Sequence, residues 1–515
     1  MHAAGLSKLV SLSALLLAVG CSGSEQPESQ GDDESIPEVP TPPENGPKLI
    51  AVRHNVVVRD RPSPSGRVLG TLRAGGQVAR AEQPYSKRNC PGGWYPIRPR
   101  GFVCAGEEAT IDMASPAAQL LAAGPKFDEP MPYRYGKVTR NAAVLYGKLP
   151  TVEEQNRAEP KIGKKKGDPE PIGTGPNDVP LDENGRATGP PVLLPTAEGV
   201  NKEGYRMPDT WFDLDETNGQ SLAAPGLAID PAAAATRVLK SKSGLAVART
   251  ITFGEGEAKR HFGILPDGRF VDVQRLAPMV GGAFYGVDLE KEGLPAAFII
   301  RGNVPTFKME NRRAVPTDES YEAREHLFLS GRFRTVDQVK YFATRDEELW
   351  VRHRDIVYVP KRSDFPDFAL ENARWLDISL ANQYMVVWHG RKPIYATLIS
   401  SGQDRLGDPK EGPATIQGVF RLRAKHVTRA VDERETNHAY SVGDAPWVME
   451  FAEGFSLIGC YWHTAFGEAR SYHDIGLSPI DARWIFNWSE PAIPDGWHSV
   501  SIAEDEPTTV VYVHK

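Results

Sequence analysis

The residues best equipped for chemistry lie near the end of the chain, in Cys460-Tyr461-Trp462-His463 and in Ser471-Tyr472-His473-Asp474. A thiol, two imidazoles and a carboxylate so close together could make a nucleophile and base, or a metal site. A thiol becomes a useful nucleophile once its pKa, about 8.5 when free, is lowered by a nearby His or a helix N-terminus. Cys460 and His473 could form such a pair, with the thiol on a strand and the imidazole on a loop. Cys460, His463, His473 and Asp474 also have the ligand types of a metal site, and His463, His473 and Asp474 alone could serve a metal-dependent hydrolase. Cys-x2-His followed by His-Asp matches no standard zinc spacing, so no metal or other cofactor is assigned. The plainer roles are a small, inert Cys460 inside a sheet and a His463 that stacks or hydrogen-bonds.

These groups need elements to position them. Phe455 to Cys460 is an apolar run of strand length bounded by Gly454. Ser478-Pro479 offers an N-cap and a first helical Pro, and Ala482 to Trp488 carries apolar residues at helical spacing. The prediction is a strand, a loop rich in ionisable groups and a capped helix. Binding and catalytic residues concentrate on loops held by rigid elements.

An ordered series of motifs over residues 370 to 515 resembles the L,D-transpeptidase (YkuD-type) catalytic domain. It runs through Trp375-Leu-Asp-Ile-Ser-Leu, Gln383, Val386-Val387-Trp388 and Ile394 to Gly402, whose end is similar to the family's Ser-x-Gly turn. It continues through Thr415-Ile-Gln-Gly-Val-Phe420, Asp444-Ala-Pro-Trp447 and Gly459 to His463, and closes at Leu477-Ser-Pro-x-Asp-Ala482. The resemblance implies a β-sandwich-like fold with a short helix, peptidoglycan stem peptides as substrate, and a cysteine acyl-enzyme. Tyr461, Trp462 and Ser471 would then lie on the substrate side.

The reactive positions depart from the family's pattern. Aligned on Leu477-Ser-Pro479, the nucleophilic Cys falls on Asp474, the preceding Gly on His473 and the signature His on Tyr472, while Ser471 is kept. Aligned on Tyr461-Trp462-His463, the basic His of the strand falls on Ile458. A carboxylate is a weak nucleophile that would give a high-energy anhydride, and Ile458 cannot move a proton. These changes favour a weakly active or non-catalytic protein. The alternative is an active transpeptidase using a relocated Cys460 with His473.

The beginning of the chain resembles a bacterial lipoprotein signal. His2 and Lys8 precede an apolar run from Leu9 to Val19, too short to span a bilayer comfortably, and Ala18-Val19-Gly20-Cys21 is similar to a lipobox. Cys21 would be lipidated after cleavage of residues 1 to 20, anchoring the chain to the membrane. Ser22 after the cysteine implies the outer membrane, facing the periplasm. Residues 21 to 48, rich in Ser, Glu, Asp and Pro, read as a disordered tether.

Residues 49 to 107 resemble a bacterial SH3-like domain through Val56-Val57-Val58-Arg59, Pro62 to Gly66, Val68 to Leu72, Trp94-Tyr95 and Gly101-Phe-Val103. Such domains commonly bind cell-wall peptide, and a spacer without a ligand is the other possibility. Cys90 and Cys104 flank a compact turn in an exported chain, which favours a disulfide between them.

Residues 108 to 366 read as an irregular β region. Lys137 to Arg140 and Ala143 to Tyr146 suggest a strand pair, and Thr151 to Pro195 a long solvated loop containing Lys164-Lys165-Lys166. Repeated strand and turn patterns at Ile251 to Phe253, Phe262 to Leu265, Phe270 to Val273, Leu349 to Val351 and Ile356 to Val359 suggest one or two further SH3-like or irregular modules. With 48 Gly and 43 Pro among 515 residues and few long helical periodicities, the chain is expected to be mainly β and multidomain. Its parts would be an N-terminal SH3-like barrel, the β middle region, and the transpeptidase-like domain at 367 to 515. The net charge of -7 gives no basic footprint for nucleic acid.

Overall fold

The core of the C-terminal region is a sandwich built from strands whose two faces are both buried. A computed structural model describes residues 37–121, 124–138, 142–159, 192–193, 204–205, 237–253, 260–279, 281–431 and 441–515, and within it Val39–Lys515 form one compact unit. One layer is a six-stranded sheet in the order Val287–Asp288, Lys392–Leu398, Tyr384–His389, Arg374–Ser379, Val510–His514 and Gly418–Arg421. The other contains Ala424–Val431, Val442–Ala452, Phe455–Gly459 and Ile475–Leu477. Leu376, Val387, Val427, Trp447 and Leu457 from the two layers share one core with Ile485 of the helix Pro479–Trp488. Apolar runs without strict alternation are what such doubly covered strands require.

The helix forms as its sequence dictates. Ser478 is the N-cap, its side chain accepting from Asp481 N at 3.0 Å, and Pro479 takes the first turn. At the other end Lys425, fully buried, donates to the carbonyls of Phe486 at 2.5 Å, Ser489 at 2.9 Å and Pro491 at 2.8 Å. Three N–H donors thus satisfy carbonyls that the helix end and the chain after it would otherwise leave open. Asp481 anchors the helix sideways, accepting from Thr397 Oγ1 at 2.6 Å, Tyr395 Oη at 2.8 Å and Gly286 N at 2.9 Å.

Some strands of the N-terminal and middle regions extend this sandwich edge to edge, while others form separate sheets, among them one of five and one of seven strands. A twelve-stranded sheet runs from Leu276–Met279 through Arg134–Val138 and Gly244–Val247 to the C-terminal strands, then through Ser499–Ser501 to Val68–Leu72, Val56–Arg59, Phe102–Cys104 and Trp94–Pro96. The junction with the N-terminal region pairs Gly70 with Val500 and Thr71 with Ser499. A Cβ on Gly70 would lie 2.1 Å from the Ser499 carbonyl, so this approach needs glycine. The ion pair between Arg73 and Asp444 secures the same junction.

The mainly β architecture stands, but the expected N-terminal barrel is not closed. Its strands divide between the long sheet and a three-stranded sheet of Gln77–Ala79, Lys48–Ala51 and Ala109–Thr110. Edge pairing with Ser499–Ser501 takes up hydrogen bonds that closure would have used. Cys90 and Cys104 form a disulfide with Cα atoms 5.8 Å apart. The end of the expected tether is ordered, since Val39 packs on Cys90, Trp94 and Phe102.

Two further expectations change in the middle region. Arg134–Val138 and Ala143–Tyr146 are strands but do not pair with each other; the first pairs with Gly244–Val247 and Leu276–Met279, the second with Arg237–Leu239 and Phe270–Asp272. The start of the expected loop is the helix Val152–Ala158, closed by a capping box between Thr151 and Glu154. Lys164 to Lys166, the signal and Cys21 lie outside the described residues. The repeat in the middle is real in form: Phe270–Asp272, Val273–Arg275 and Leu276–Met279 give strand, 3-10 turn and strand, as do Trp350–Arg352, His353–Asp355 and Ile356–Val359.

Candidate functional site

Phe455–Gly459 and Ile475–Leu477 run parallel, pairing Leu457 with Ile475, Ile458 with Gly476 and Gly459 with Leu477. Between them the chain makes the loop that carries the ionisable residues, and the paired strands fix where that loop begins and ends. The continuation of Lys392–Leu398 lies alongside. Ser400 exchanges backbone hydrogen bonds with Gly476 at 2.8 Å each way, and Ser471 N donates to Ser401 O at 3.0 Å. Thr415 Oγ1 accepts from Gly402 N at 2.9 Å and donates to the His473 carbonyl at 2.8 Å. One hydroxyl therefore joins the Ser-x-Gly turn to the loop before Asp474.

Asp474 is buried at the entry to its strand. Its Oδ1 accepts from Ser456 N at 2.8 Å, and Arg429 Nη2 lies 3.5 Å from Oδ2. A backbone donor and a guanidinium stabilise a carboxylate, so Asp474 serves as an acceptor inside the sheet. Ile458, 1 % exposed, belongs to the apolar core. No proton can be exchanged at that position.

Cys460 does not replace them. It is fully buried, its N donates to Leu477 O at 2.8 Å, and its Sγ lies 3.8 Å from the Ile458 carbonyl. Burial, and then the charge of Asp474, push its thiol well above the usual range, opposite to what a thiolate nucleophile requires. A Cβ on Gly476 would fall 2.7 Å from this sulfur, which shows how tightly the thiol is enclosed.

His473 is placed elsewhere. Its ring stacks on Phe455 with centroids 5.1 Å apart and meets Tyr472 at 4.3 Å. Phe455 and Cys460 are five positions apart on the same chain, a distance of roughly 16 Å along an extended strand. The exchange of thiol and imidazole is therefore corrected: the parallel register holds the two groups at opposite ends. The metal alternative is corrected too. Among the described residues no three His, Cys, Asp or Glu side chains are grouped to hold a metal ion. His463 accepts from Ala465 N at 3.3 Å through Nδ1 and packs against Phe466 at 5.4 Å.

The residues expected on the substrate side are partly structural. Tyr461 is fully buried, donates to Gly443 O at 2.9 Å and packs on Tyr135 at 4.3 Å. Trp462 is half-buried between Tyr461 and His463. Ser471 Oγ donates to Ser400 O at 3.1 Å. Sequence reasoning passed over Arg429 and Arg324. Arg324 donates to Phe466 O and, at 3.2 Å, to Thr464 O, clasping the loop from the middle region. Arg324 adopts φ +76°, which no local motif announced, whereas Arg429 sits in a strand whose partner could be read only from the fold.

No family model matches the chain, and no curated protein does. Its neighbours among solved structures include L,D-transpeptidases. An Enterococcus faecium L,D-transpeptidase mutant is 19% identical, with a TM-score of 0.21, over 28% of this chain and 50% of its own. The catalytic domain of the E. faecium L,D-transpeptidase is 17% identical, with a TM-score of 0.21, over 28% of this chain and 98% of its own. An L,D-transpeptidase from Mycobacterium smegmatis is 15% identical, with a TM-score of 0.22, over 36% and 78%. The chain thus spans half the length of the first of these.

Proposed function

We propose that this is a lipid-anchored cell-envelope protein whose C-terminal region, similar to L,D-transpeptidases, binds peptidoglycan stem peptides without turning them over. The observation that carries the reading is the fate of the two reactive positions. Ile458 is built into the apolar core, and Asp474 is engaged by Ser456 N and Arg429. Neither group can form or resolve an acyl-enzyme, and Cys460 is enclosed with a raised pKa.

Location follows from the lipobox-like Ala18 to Cys21, with Ser22 favouring the outer membrane and the periplasm. The Cys90–Cys104 disulfide supports an oxidising compartment. The SH3-like N-terminal strands, joined to the C-terminal sheet, would add a second contact to the wall.

The test is sedimentation of the chain with purified peptidoglycan sacculi, paired with assay of acyl transfer on a stem tetrapeptide. Co-sedimentation competed by free stem peptide, without turnover, is the expected result. Failure to sediment, or turnover, would overturn the reading.

A further inference from the structure

We propose that the junction between the N-terminal strands and the C-terminal sheet is an acid-operated latch, shut while His54 and His498 are neutral and released when they take up protons. Both imidazoles belong to the contact itself. His498 lies in the C-terminal partner, where its backbone N donates to Thr71 O at 2.8 Å, next to the pairs Gly70 with Val500 and Thr71 with Ser499. His54 lies on the N-terminal side, against the Arg73 that pairs with Asp444 across the junction.

Each ring has one nitrogen left to protonate, and its surroundings oppose the proton. Arg73 Nη1 lies 3.2 Å from His54 Nε2. A guanidinium only donates, so Nε2 accepts and the proton of the neutral ring sits on Nδ1. A second proton would set N–H against N–H beside a fixed cation. His498 Nε2 lies 2.9 Å from the Thr428 carbonyl, which only accepts, so here Nε2 carries the proton and Nδ1 is bare. That Nδ1 has no partner among the described residues and no surface open to solvent. Protonating it would bury a cation whose new N–H finds neither an acceptor nor water.

The charged groups around the two rings do not reverse this. Arg73, Asp444, Asp267 and Arg269 face His54, and Arg73, His426 and His54 face His498. Asp444 and Asp267 favour a charged His54, but Asp444 is engaged by Arg73 and by Thr428 Oγ1 at 3.0 Å, and Asp267 by Arg269. Burial, and then Arg73, hold His54 below its usual pKa. Burial, followed by Arg73 and His426, holds His498 well below it.

Opening the junction returns the rings to water, where imidazole takes up a proton near about pH 6.5. The shut form therefore binds fewer protons than the open one, so the junction is firm above that pH and loosens as pH falls through it. Two protons taken up on opening make it about a hundredfold easier per pH unit, and one proton about tenfold.

Hydrogen exchange of the full chain, read by mass spectrometry from pH 8 to pH 5 and corrected for the intrinsic rate, tests this. Peptides spanning 68–72 and 496–501 should lose protection steeply below about pH 6.5, while those spanning 374–389 keep theirs. His54→Gln keeps an acceptor for Arg73, and His498→Gln keeps a donor for Thr428, but neither side chain titrates. Each should lower the pH slope by about tenfold per unit, and melting curves at pH 8 establish that they fold. Should His498→Gln fail to fold, His54→Gln decides alone. Junction protection indifferent to acid, loss of protection in the junction and the core together, or an unchanged slope in the folded variants would each overturn the latch. The result is separable from the stem-peptide reading, because no ligand is present in the measurement.

Discussion

The Ser456 backbone N–H donates to Asp474 Oδ1 at 2.8 Å, so this buried carboxylate is committed to the neighbouring strand. Asp474→Ala should leave that buried donor unsatisfied and cost about 1–3 kcal/mol. Asp474→Asn keeps an acceptor and should cost less. Urea unfolding midpoints of the two variants decide the matter; equal losses would mean that the hydrogen bond contributes little.

Restoring the thiol should not restore the chemistry. Asp474→Cys, even combined with Tyr472→His, leaves a hydrocarbon at Ile458, the position to which the proposed alignment gives the base. Intact mass after incubation with a carbapenem should show no covalent adduct on either variant. An adduct would show that a base reaches position 474 from elsewhere.

Cys460 should resist thiol reagents until the protein unfolds. Its folded pKa is raised above its unfolded value, which is near 8.5. Below that pH both states keep the proton and its contribution is intact. As pH rises further, the unfolded chain loses its proton first and stability falls. Peptide mapping after labelling at alkaline pH, with and without denaturant, tests this; labelling of Cys460 in the folded protein would contradict it.

Lys425 links another titration to stability. Burial pushes its ammonium down to about 7, while the three carbonyl acceptors require all three N–H groups and oppose that shift. From about pH 7 to the unfolded value near 10.4, the unfolded chain holds more protons, so this group's contribution to stability rises with pH. Lys425→Met should remove that rise and cost about 3 kcal/mol by leaving the carbonyls of Phe486, Ser489 and Pro491 without their donor. Denaturation curves for both proteins between pH 6 and pH 10 would reveal it.

Gly70→Ala should open the junction between the N-terminal strands and the C-terminal sheet. The new methyl would meet the Ser499 carbonyl, with an expected cost of about 1–3 kcal/mol. Limited proteolysis should then cut between the two regions faster than in the parent chain. Unchanged cleavage would mean that the strands can slide to admit the methyl.

The local elements around the site were legible in the sequence because their signals are local. Ser478 and Pro479 mark the helix start, and the apolar run from Phe455 marks the strand. The placing of the nucleophile and base positions on Asp474 and Ile458 rests on motif order alone. The separation of Cys460 from His473 could not, because it depends on the parallel register between two strands with a loop between them. The capping box at Thr151 was visible but lost among the Pro and charged residues that follow it. The open N-terminal barrel was hidden for a different reason: its partner strand, Ser499–Ser501, is supplied from the far end of the chain.

That last pairing also bears on how the protein is made. Thr71 and Ser499 share a hydrogen bond across 428 residues of sequence. Contacts so remote lengthen the search for the native state, because the closing of long loops precedes any gain from the strands that meet. The edge of Val68–Leu72 must therefore wait, unpaired, until the last part of the chain emerges. During that interval it is an open template for pairing with other chains, and keeping it covered is a task for the cell's folding machinery.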